Sequence, residues 1–141
     1  MASDHRGFQE KQELISWLSQ EGHEVVDCGD TSPQPTDDYV DFALIAAKQV
    51  MADTNSLGIV LCGSGVGMSI ATNRLRGIYC ALGFSVEQVL HARENDHVNM
   101  LSLPVEYIDS ALQKQLIQTF LTTQPILDEK YIRRVKKLDS L

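Results

Sequence analysis

In Leu61-Cys62-Gly63-Ser64-Gly65-Val66-Gly67 a thiol stands directly before three alternating glycines. The segment follows a short apolar run, Leu57 to Leu61, and leads into a helix-compatible stretch, Met68 to Leu75. The spacing predicts a cysteine at the carboxyl end of a strand, then a tight turn whose backbone N–H groups open a helix. Such a loop cradles an anion, and a helix N-terminus beside a thiol favours the thiolate. A base or nucleophile next to an oxyanion-binding loop is the skeleton of an active site. A glycine turn beside a buried, inert cysteine would carry the same residues, so the loop alone leaves both readings open.

The elements that position this loop alternate along the chain. Phe8 to Gly22 carries Leu14, Ile15 and Leu18 at helical spacing and ends on a glycine. Glu24 to Cys28 reads as a strand, and Gly29 to Asp38, with Pro33 and Pro35, as a loop. Tyr39 to Asp53 is helical, Leu57 to Cys62 a strand, and Gly77 to Leu82 another. Ser85 and Gln88 form a capping-box pattern for a helix to about Glu94. Val98 to Leu103 reads as a strand, Val105 to Thr122 as a helix, and a last helix begins near Leu127 or Asp128. Alternation of this kind predicts an α/β fold: a parallel sheet with helices on both faces and its ligand site at the carboxyl ends of the strands. Only Met1-Ala2-Ser3 precede Asp4, so the first strand is truncated to a stub, or the natural chain begins upstream.

With 141 residues, 43% hydrophobic and 22% charged, the chain fits a single domain over residues 1–141. A net charge of −7 argues against nucleic acid or an anionic membrane as partner. No apolar run reaches the roughly 20 residues of a membrane span. Cys28, Cys62 and Cys80 are odd in number and lack metal-ligand spacing, which points to reduced thiols in the cytoplasm and to no metal. Cys28 and Cys80 fall in expected strands and read as core residues.

Taken together, Ser3-Asp4-His5-Arg6-Gly7, Asp38-Tyr39, Gly58 to Gly67 and Ile70-Ala71-Thr72-Asn73 resemble the ribose-5-phosphate isomerase B family, which includes the galactose-6-phosphate isomerase subunits. The resemblance runs in order over nearly the whole chain. It implies a Rossmann-like three-layer sandwich, sites built between two subunits of a homodimer or homotetramer, and aldose–ketose isomerisation of a sugar phosphate without metal or cofactor. Cys62 matches the family's base, and Gly63, Ser64, Gly65, Val66 and Gly67 would supply donors to an enediolate. Asp4 would bind sugar hydroxyls, His5 would lie towards the phosphate, and Tyr39 would line the pocket. Away from the family, Asp4 and His5 read equally as a cap and a surface histidine, and Tyr39 as helix-start packing.

Several positions depart from the family pattern. Asn95 takes the place of the histidine that opens the sugar ring, and Asp96 that of the following asparagine. An amide delivers no proton near neutral pH, and His97, two residues on, is the nearest substitute. Glu106 stands where the family has a phosphate-binding arginine. Lys130 and Arg134 match two arginines on the final helix that reach a partner subunit's phosphate, and Tyr131, Val135 and Leu138 form an apolar face beside them. Lysine keeps the charge but loses the bidentate fork. Three functions remain in view: a ribose-5-phosphate-type isomerase, an isomerase of a different or non-phosphorylated sugar, and a non-catalytic sugar-binding homologue.

Overall fold

A computed structural model describes residues 1–141. Four parallel strands, β1 (Ala2–Ser3), β2 (Gly58–Cys62), β3 (Cys80–Leu82) and β4 (Met100–Pro104), form one sheet in the order β1-β2-β4-β3. Ala2 pairs with Val60, and Gly58 to Cys62 pair in register with Met100 to Pro104. Every residue of β2 and β4 is buried, which is why both read as unbroken apolar runs rather than as alternating ones.

Six α-helices cover the two faces: α1 (Phe8–Gln20), α2 (Tyr39–Ala52), α3 (Val66–Thr72), α4 (Val86–Asn95), α5 (Ser110–Thr122) and α6 (Glu129–Leu138). Side chains alternate across the pleat. Ile59, Leu61, Leu101 and Leu103 therefore point one way, into a core with Leu14, Leu18, Val89, Leu116, Ile117 and Phe120 of α1, α4 and α5. Val60, Cys62 and Met100 point the other way, under Ala43, Ala46, Ala47, Val50, Met68 and Ala71 of α2 and α3. The three-layer α/β sandwich is thus as expected, with β1 a two-residue stub.

Several boundaries move. Glu24 to Cys28 forms no ladder strand: with β1 so short, it finds only Met1, whose N-terminus donates to the Val26 carbonyl and whose carbonyl accepts from the Cys28 N–H, both at 2.7 Å. The expected strand from Gly77 starts at Cys80, because Gly77 takes φ +82° and Ile78 closes a turn onto Leu75. Val105 does not begin a helix: Tyr107 N–H turns back onto the Pro104 carbonyl, and α5 starts at Ser110 under the Asp109 cap. At α4, Ser85 Oγ accepts the Gln88 N–H as its capping box predicts, but Gln88 reaches back to the Phe84 N–H instead of that of Ser85. Cys28 and Cys80 are partly enclosed and pack against the edge of the core under α2 and α3. No helix is long and apolar enough to cross a membrane.

Candidate active site

From β1 the chain runs outward to the segment beside Met1, then crosses back to β2 on the other side. The opening between the carboxyl ends of β1 and β2 is the place where open α/β sheets bind ligands. Asp4, His5 and Arg6 enter it from β1, Cys62 to Gly67 from β2, Tyr39 from the start of α2, and Glu106 from the turn after β4.

Cys62 is the last residue of β2 and is buried, on the α2–α3 face. The Gly65 N–H donates to its Sγ at 3.1 Å. Gly65 holds φ +71°, and a Cβ there would lie 2.5 Å from Leu82 Cδ1, so only glycine fits. Its carbonyl accepts from buried Ser102 Oγ at 2.6 Å, which fixes the next peptide, on the other side of the Gly65 Cα. Val66 N–H goes to Ser64 Oγ. Two of the five N–H groups expected for an oxyanion are therefore already used, leaving those of Gly63, Ser64 and Gly67 without an acceptor in the chain. Tyr39 lies edge-close to Gly67, where a Cβ would come 2.8 Å from its ring.

Across the opening, Asp4 is buried and caps a 3-10 turn over His5–Gly7: its Oδ1 accepts the Arg6 and Gly7 N–H groups at 3.0 and 3.2 Å. Burial raises its carboxyl above the ordinary value, against those two bonds. Oδ2 makes no hydrogen bond within the chain. His5 is clasped by Asp37, through Nδ1 to Oδ1 and through its backbone N–H to Oδ2. Arg6 and Glu106 form a two-point ion pair over Gly63; neither was apparent together in sequence, since they stand 100 residues apart on two turns. Glu106 is therefore not a lone charge facing the site, as the sequence suggested.

The remaining expected residues lie elsewhere. Asn95 ends α4, and Asp96 and His97 lead into β4, so all three sit at the amino edge of the sheet. The length of β4, roughly 13 Å at ~3.3 Å per residue, separates them from the Cys62 edge. The His97 Nε2 meets the Ile126 carbonyl at 3.0 Å, so within one chain this imidazole does not reach Cys62. Lys130 and Arg134 flank the Tyr131 ring on α6, whose approach and far end meet Glu94 and Tyr79 at that same amino edge. α6 buries no residue. The chain holds no group of three or more His, Cys, Asp or Glu arranged to bind a metal ion.

A family model described as Ribose/Galactose Isomerase matches residues 1–138. A ribose-5-phosphate isomerase B of Mycolicibacterium paratuberculosis is 39% identical over 135 residues, covering 96% of this chain and 85% of that protein. A crystal structure of a ribose 5-phosphate isomerase from Thermotoga maritima superposes with a TM-score of 0.93 at 37% identity, covering 99% of this chain and 95% of that one. The ribose-5-phosphate isomerase B of Mycoplasma genitalium, solved with bound ribulose-5-phosphate, superposes with a TM-score of 0.93 at 31% identity, covering 99% and 91%.

Proposed function

Because this chain belongs to the ribose/galactose isomerase family, we propose that it interconverts ribose 5-phosphate and ribulose 5-phosphate with Cys62 as base. The observation that carries the assignment to Cys62 is its place: a sulfur at the end of β2, at the turn-back of the sheet, held by the Gly65 N–H. The thiolate takes the proton from C2 of the open-chain aldose. The C2–H electrons form the C1=C2 bond, and the negative charge moves to the carbonyl oxygen. The free N–H groups of Gly63, Ser64 and Gly67, with the Ser64 hydroxyl, receive that oxygen. A proton passes from O2 to O1, the thiol returns its proton to C1, and the ketone stands at C2. Atoms and electrons balance with no metal or organic cofactor. Asp4 accepts from sugar hydroxyls through its unused Oδ2, and Tyr39 walls the pocket.

Ring opening, and part of the phosphate site, belong in this reading to a second copy. Asn95, Asp96, Lys130 and Arg134 share the edge opposite Cys62, and α6 leaves Tyr131 and Val135 only partly buried and Leu138 exposed in its own chain. A homodimer or homotetramer brings that edge to a partner's Cys62 loop. The cytoplasm is the setting that reduced thiols suit.

Incubation with ribose 5-phosphate in deuterated water tests the assignment. Ketose formation with deuterium entering the substrate, lost in Cys62→Ala, is the expected result; wild-type turnover in Cys62→Ala removes Cys62 from the role. A panel of five- and six-carbon aldoses, free and phosphorylated, decides between this substrate and a different sugar, the reading that Lys130 in place of arginine favours.

A further inference from the structure

We propose that Arg6 meets the substrate's phosphate in the subunit's own half of the site, and that Glu106 holds Arg6 in place instead of repelling the phosphate. The proposal rests on the sugar-phosphate reading above and adds a residue to it. Arg6 Nε donates to Glu106 Oε1 at 2.7 Å and Nη2 to Oε2 at 2.5 Å, a planar fork against a planar carboxylate. Two of the guanidinium's five N–H groups are spent on Glu106, and three remain for a ligand.

The pair is fixed to the catalytic loop from both sides. Glu106 donates its backbone N–H to the Gly63 carbonyl at 3.1 Å, so its position follows the residue after Cys62. Arg6 follows the Asp4 cap and the clasped His5, which leaves its backbone little freedom. The guanidinium lies close against Gly63: a Cβ there would come 2.7 Å from Nε and 2.9 Å from Cζ. Any larger residue at 63 would push Arg6 away, so the glycine makes the room that Arg6 occupies.

Exposure says which way the pair faces. The two side chains are 53% and 43% accessible, at the mouth of the opening and not sealed beneath it. A half-exposed ion pair contributes little to folding. Its effect lies in orientation: a guanidinium held by one face of its fork offers the other N–H groups in a set direction, which suits the tetrahedral oxygens of a phosphate. The carboxylate is neutralised by the same contact, so an arriving dianion meets a cation backed by an acid and not a bare acid.

The sign of one substitution separates this from repulsion. Inorganic phosphate is titrated by calorimetry, and KM and kcat for ribose 5-phosphate are measured alongside. If Glu106 holds Arg6, Glu106→Gln weakens phosphate about three- to tenfold and raises KM more than it lowers kcat. Arg6→Ala weakens it on the order of 100-fold, since it removes the donor and bares Glu106. The double variant, Arg6→Ala with Glu106→Gln, recovers part of that loss, and Arg6→Lys falls between wild type and Arg6→Ala. Tighter phosphate binding in Glu106→Gln overturns the proposal, as does unchanged affinity in Arg6→Ala or a wild-type protein that binds no phosphate. Failure of the isomerase reading shows separately, as no turnover of ribose 5-phosphate by a wild-type protein that still binds phosphate through Arg6.

Discussion

The His5 imidazole and the Asp37 carboxylate hold each other at two points, Nδ1 lying 2.5 Å from Oδ1 while the His5 backbone N–H donates to Oδ2 at 2.7 Å. The Asp37 side chain is almost wholly enclosed, at 6% accessible, so the loop from Gly29 to Asp38 ends on the rim of the site. With Nδ1 engaged, Nε2 is the ring nitrogen left for a ligand. Asp37→Asn should lower kcat/KM about 10- to 100-fold, what the loss of a hydrogen bond to a charged group, worth ~1.5–3 kcal/mol, amounts to. Asp37→Glu should recover part of it. Full activity in Asp37→Asn would show that the clasp shapes the loop and nothing more.

Thiol labelling should distinguish Cys62 from Cys80. Burial pushes the Cys80 thiol up to about 11, so at pH 8 it stays protonated and slow towards iodoacetamide. Cys62 should react faster than Cys80 and be shielded by ribose 5-phosphate. Peptide mapping by mass spectrometry reads both, and labelling of Cys62 that ligand leaves unchanged would place the sugar elsewhere.

Gly65→Ala combines two penalties. The left-handed backbone costs an L-residue about 1–2 kcal/mol, and the new methyl would sit 2.5 Å from Leu82 Cδ1 and 3.0 Å from the Pro104 nitrogen. Relief of that clash tilts the peptide whose N–H reaches Cys62. Denaturant unfolding should show a loss of at least ~2 kcal/mol, with turnover falling further than stability alone explains. Equal stability to wild type would contradict the fit described for this glycine.

Asp4 trades stability for its place in the site. Burial raises its folded-state carboxyl, so its ionised form is less favoured in the fold than in the open chain. The stability linked to this group is full below the unfolded value and lost as pH rises through the raised one. Asp4→Asn keeps an oxygen for the Arg6 and Gly7 N–H groups and removes the charge. At pH 7 the variant should melt higher, by about 2–4 °C for each kcal/mol gained, while its activity falls. The difference should close below about pH 4, where the wild-type carboxyl is itself protonated. A lower melting point at pH 7 would mean that the ionised form is the stabilising one.

What could be read in advance depended on how local the determinant is. The turn after Cys62 and the cap at Ser85 are each set by a few adjacent residues, and both stand where the sequence places them. Glu24 to Cys28 has the composition of a strand, but a strand also needs a partner, and β1 has only two residues to offer. Arg6 and Glu106 carried no periodic signal, since both lie on turns where no helical or pleated spacing relates them. Both lie just past strands that flank β2, and no local spacing encodes that strand order. The distance between Asn95 and Cys62 was implicit in the alternation, since a helix-to-strand connection opens on the edge opposite a strand-to-helix one.

The order β1-β2-β4-β3 also sets a timetable for the molecule's making. β4 is the last strand to be synthesised, yet it lies between β2 and β3 and pairs with both. Until residues 100–104 leave the ribosome, β3 has no neighbour and β2 has only the stub of β1. At about 5–20 residues per second, the 42 residues from Gly58 to its partner Met100 take roughly 2–8 seconds to appear. The sheet is therefore completed from its middle by its last strand, so the nascent chain carries the apolar β2 and β3 without that partner for seconds.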